Sequence, residues 1–167
     1  MQELAERLSR DYYDLLEILS GNVDAHTSEL LNQQIFTEYV RHSKYLVEEV
    51  RGFVNERREV YIPYVFDLEA KNTTGHNCST CSGRCDMQHS FKLAELETSQ
   101  KKIYDIANRV LALLAEKAGK EANAEKLIIL RNEAALLRNK ISQLIEHEEI
   151  FLIPRIREAQ KNINAHS

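Results

Sequence analysis

Apolar side chains recur three and four positions apart over most of this chain, a period that suits an α-helix and excludes a strand. One stripe is Leu4, Leu8, Tyr12, Leu15 and Leu19. A second is Tyr39, Leu46, Val50, Phe53, Arg57 and Val60. A third is His89, Leu93, Leu96, Ile103, Ala107, Val110 and Leu114. The last runs Leu127, Leu130, Ala134, Leu137, Ile141, Leu144, Glu148 and Leu152. With only five glycines and two prolines, breaks between stripes are few. Ser20-Gly21-Asn22 predicts a stop to a first helix over about 2–20. A second helix is expected from about 27 toward Asn72, with Pro63 as a kink or break. The third is expected over about 86–118, ended by Gly119, and the fourth over about 122–162, with Pro154 near its end. Short links between long helices predict an all-α, up-down-up-down four-helix bundle made from residues 1–167 as a single domain.

The exception to this helical pattern is the segment over about 71–89. All three cysteines fall here, in the run His76-Asn77-Cys78-Ser79-Thr80-Cys81-Ser82-Gly83-Arg84-Cys85-Asp86-Met87-Gln88-His89. The spacing is C-x2-C-x3-C-x3-H, with His76 two residues ahead of the first cysteine. A two-residue gap lets two thiolates close on one ion. A helix starting near Cys85 would put Cys85 and His89 one turn apart on a shared face. Cys78, Cys81 and Cys85 with His89, or with His76, make a Cys3His set that suits zinc and, as an alternative, an iron–sulfur cluster. A filled four-ligand site is closed, so its role would be structural, or redox- or metal-sensing, rather than hydrolytic. The bland alternative is a set of reduced loop thiols that answer to oxidants within an interaction module.

Charge and composition exclude several classes. The formal net charge is −4 with no basic block, which argues against nucleic acid as a partner. No apolar run approaches the roughly 18 residues of a membrane span. Residues 1–20 carry acidic and basic side chains throughout and do not read as a signal peptide. A cytoplasmic location is therefore expected, and there cysteines stay reduced and favour metal or redox chemistry over disulfides. No phosphate-cradling glycine loop, nucleophile elbow or H-E-x-x-H motif is present, so no catalytic residue or substrate is assigned. The expected partner is a metal ion, and the identity of any protein partner is open.

The second and fourth helices end alike, in Arg58-Glu59-Val60-Tyr61-Ile62-Pro63 and Glu149-Ile150-Phe151-Leu152-Ile153-Pro154. The run Glu148-Glu149-Ile150-Phe151-Leu152-Ile153-Pro154 resembles the Glu-Glu-x-x-Leu-Phe-Pro signature of hemerythrin-like (HHE) domains. That resemblance implies a four-helix bundle with two bridged irons near one end. It also implies an inward histidine on the first helix, His-x3-Glu on the second, and one or two histidines on the third. On the fourth it implies His-x3-Glu or His-x-x-x-x-Asp. Carried over by the prolines, those positions hold Tyr12 after Asp11, then Phe53 and Arg57, then His89 and Leu93, then Leu144 and Glu148. Only His89 and Glu148 keep ligand chemistry, so most di-iron positions are lost. A di-iron or redox enzyme using His89 and Glu148 is the alternative the resemblance offers. The leading expectation is that metal chemistry has moved to the cysteine run at the bundle mouth.

Arg57 and Glu148 each interrupt an apolar stripe six residues before a proline, which predicts a buried ion pair between them. Tyr12 is expected in the core, within reach of His89 or Glu148, and Tyr13 at the rim. His42, with Glu38 and Glu49, reads as a wet surface stripe, and His147 as a surface residue. His26 and His166 carry no signal.

Overall fold

The computed structural model describes residues 2–30, 34–75, 93–117 and 124–165. Among them the chain is all-α, in four helical rods with no strand. The first rod is α1 (Gln2–Leu30). A short 3-10 turn, Gln34–Phe36, leads into α2 (Thr37–Glu56), which passes through a π-helical turn, Arg57–Tyr61, directly into α3 (Ile62–Thr74). The third rod is α4 (Leu93–Lys117). The fourth is α5 (Ala124–His147), a second π-helical turn, Glu148–Leu152, and α6 (Ile153–Ala165). No helix among the described residues is long and apolar enough to cross a membrane.

The inward stripes do the packing. Leu8, Tyr12 and Leu15 from α1 share one core with Leu46, Val50 and Phe53, with Ile103, Val110 and Leu114, and with Leu130, Ile141 and Leu144. Each such side chain taken out of water contributes about 1.5–3 kcal/mol. α1 packs against α2 and α5, α4 packs against α2 and α5, and beyond the prolines α3 packs against α6.

Three details depart from the sequence expectation. Gly21 does not stop the first helix, which runs on to Leu30, so the second starts at Thr37 rather than near 27. A glycine in a helix interior costs about 1 kcal/mol relative to alanine, too little to end a helix held by its neighbours. Among the described residues Gly75 ends a helix, its φ of 64° supplying the left-handed cap after α3. Pro63 and Pro154 break nothing. A proline has no N–H and its ring crowds the carbonyl four residues back. Here the preceding turn widens instead: the Ile62 N–H donates to the Arg57 carbonyl, and the Ile153 N–H to the Glu148 carbonyl, each five residues back. The extra residue moves the second stripe on by one. Tyr61 is buried, and Val60, expected inward, is exposed.

Candidate functional site

The two π-helical turns begin at the two charged residues of the core. Arg57 and Glu148 are both fully buried. Arg57 Nε donates to Glu148 Oε1 at 2.9 Å and Nη2 to Oε2 at 3.2 Å, a forked pairing that a lysine could not reproduce. The other two rods complete the node. Tyr12 Oη of α1 donates to Glu148 Oε1, and Gln100 Nε2 of α4 donates to Oε2 at 2.8 Å. Glu148 thus accepts from all three other rods. Arg57 Nη1 also donates to Ser99 Oγ at 2.9 Å and to Glu56 Oε2 at 3.1 Å. Its guanidinium carbon lies 3.3 Å from the Phe53 ring centroid and 5.2 Å from that of Tyr61. Tyr12 meets Phe53 edge-on at 6.1 Å. The cation is therefore held by charge, hydrogen bonds and aromatic faces together.

Burial works against the charge on Arg57, but the adjacent Glu148 carboxylate outweighs it and holds the guanidinium pKa above its ordinary value. Burial, and next the Glu148 charge, push the Tyr12 phenol well above the usual tyrosine range. Burial and the Glu56 charge push Tyr61 up to about 12. Tyr12 therefore stays neutral and remains a donor in the folded state, while in the unfolded chain it ionises near about 10. Its contribution is whole below that pH and is lost as pH rises toward the folded-state value. Tyr12→Phe is expected to cost about 1.5–3 kcal/mol at neutral pH, the worth of a hydrogen bond to a charged acceptor. Urea midpoints of parent and variant should converge as pH rises past about 10. A gap that stays constant into strong alkali would show that the phenol does not serve Glu148.

The structure brings together Arg57, Glu148 and Tyr12 as the stripes imply, with Tyr13 exposed beneath the Arg58 guanidinium. Gln100 and Ser99 were not anticipated. Gln100 fills the gap between Leu96 and Ile103 on the third stripe, and that gap was its signal. Glu49 pairs with Lys102 at 2.7 Å rather than with His42, whose Nε2 is 3.8 Å from Glu38. His147 is partly exposed, 3.8 Å from Asp11. Cys78, Cys81, Cys85, His76 and His89 lie outside the described residues. Among the described residues no group of three or more His, Cys, Asp or Glu is placed to hold a metal.

Among the described residues, the positions that the resemblance assigns to ligands do not fit a bridged iron pair. Phe53 and Leu144 are buried without a donor atom, both Glu148 oxygens are engaged, and the cation against that carboxylate is the Arg57 guanidinium. What the node can do is hold four helices in register. No family model matches this chain, and no curated protein or solved structure matches it either.

Proposed function

We propose that this chain is a metal-binding bundle of the hemerythrin-like type, with up-down-up-down helices, whose metal chemistry lies in the segment between α3 and α4. Cys78, Cys81 and Cys85 supply thiolates and His89 or His76 the fourth ligand. The observation that carries this is the C-x2-C-x3-C-x3-H spacing, which concentrates every cysteine of the chain in eight residues. The core node adds support of a different kind. Among the described residues the ion pair satisfies its own charges and no ligand set is placed in the interior, which favours the cysteine segment as the place of any metal function. Zinc is the leading metal and the site is closed, so its role is structural or sensory, in the reduced setting of a cytoplasm. An iron–sulfur cluster on the same thiolates is the alternative cofactor.

Elemental analysis and a visible spectrum of protein purified without air test this. Colourless protein with close to one zinc per chain is the expected result, and a brown chromophore would assign the iron–sulfur cluster. Cys81→Ser should remove most of the metal while far-UV circular dichroism stays helical. Metal content unchanged in that variant overturns the reading. Because the ligands bind as thiolates, affinity should also fall on acidification.

A further inference from the structure

α5 is apolar on both of its sides. Its inner face carries Leu130, Leu137 and Ile141 into the core, yet Ile128, Ile129, Leu136, Ile150 and Phe151 stand exposed on the outside. At 100° per residue, Ile128, Asn132, Leu136, Asn139 and Gln143 fall within about 80° of one another, opposite the buried stripe. The wide turn over Glu148–Leu152 buries both its first and last residues and so leaves Ile150 and Phe151 outward, in line with that stripe. Between Ile128 and Gln143 the outward stripe carries amides and aliphatics, bounded by the exposed carboxylates Glu125 and Glu146, whereas α4 carries Lys101, Lys102, Asp105 and Arg109, all exposed.

The stripe is also self-complementary. Ile128 stands as far before Asn139 as Phe151 stands after Lys140, and Ile129 matches Ile150 in the same way. We propose that this face binds a second copy of the chain, packed antiparallel about a two-fold axis at Asn139 and Lys140. The Ile128–Ile129 end of one protomer then meets the Ile150–Phe151 end of its partner, twice, as an isologous contact requires. Leu136 covers the stem of Gln143, and Asn139 faces its own copy amide to amide. On the flank, Arg131 comes opposite Glu149 twice. In a parallel pairing opposite flanks of the two copies would meet and Arg131 would lie far from the partner's Glu149, so this charge pair favours the antiparallel arrangement. The like charge nearest the axis, Lys140, runs along a groove that it shares with Asp14 and Glu17 of α1.

The stripe is about 35 Å long at 1.5 Å per residue. One helix face of that length buries roughly 1,200 Å² in total, the low end for a specific interface. An interface of this size suits a reversible dimer. This inference does not depend on the metal reading.

Sedimentation equilibrium of the full chain under thiol reductant, across low to high micromolar concentrations, tests it. A monomer–dimer equilibrium is expected, and it should persist in Cys81→Ser, which separates it from cysteine-mediated association. Leu136→Glu should weaken it about tenfold or more while circular dichroism stays unchanged. Arg131→Glu should weaken it as well, and adding Glu149→Arg should restore it. A monomer at every concentration overturns the proposal, as does a dimer indifferent to Leu136→Glu or one that the charge exchange fails to restore.

Discussion

Replacing Glu148 with leucine is expected to cost at least about 3–5 kcal/mol of folding stability, the range for removing one partner of a buried ion pair. The carboxylate accepts four hydrogen bonds, two from Arg57 and one each from Tyr12 and Gln100. None of these donors has water to turn to, since Arg57 and Tyr12 are fully buried and Gln100 nearly so. Leucine fills much of the space but leaves the buried guanidinium with only Glu56 and Ser99 as polar partners and strands two neutral donors, each worth about 1–3 kcal/mol when left unsatisfied. These losses are not additive, because the freed donors converge on one point and partly satisfy one another. Against a total stability of about 5–15 kcal/mol for a domain, the variant should sit near the edge of folding. A chemical-denaturation midpoint measures it. A midpoint within about 1 kcal/mol of the parent would mean that the pair is wet.

That Arg57 and Glu148 stand together was legible in the sequence, because period reports direction. A charge where a stripe calls for an aliphatic residue must be buried or must bend the helix. Two such charges at the same distance from matched prolines share one level of the bundle. Tyr12 was legible on the same grounds. Gln100 was as regular, but an amide on an apolar stripe draws less notice than a charge. The π-helical turns were not legible, because period cannot tell a kink at Pro63 from a widened turn. Which of the two forms depends on how the rest of the helix is held, and α3 is held by its packing on α6. The length of the first helix failed for a related reason. Gly21 is exposed, with open space around the position of a side chain, so nothing but a modest propensity cost marks it. The cysteine spacing is plain in the sequence, and its residues lie outside those the structure describes.

The second large effect is expected at Arg57, and its reversal is more telling than its size. Arg57→Ala removes the cation and leaves Glu148 buried with only Tyr12 and Gln100 as donors, which should cost about 3–5 kcal/mol. It also opens a void beside Phe53 and Tyr61, against which the guanidinium now lies. Charge and cavity can be separated. Arg57→Met keeps much of the volume and strands the same carboxylate, so it should remain nearly as costly as alanine. Arg57→Met combined with Glu148→Leu strands neither charge. The double variant should recover much of what either single change loses, since well-packed apolar replacements of buried ion pairs are often neutral or stabilising. Tyr12 and Gln100 then lack their acceptor, which limits the recovery, and adding Tyr12→Phe should extend it. The coupling energy from this double-mutant cycle is the deciding quantity. A large coupling with a stable double variant means that each charge is needed to satisfy the other and that the pair is not needed for cohesion. A double variant as unstable as the sum of its parts would mean that the arginine and glutamate act separately, and that the forked contact contributes nothing of its own.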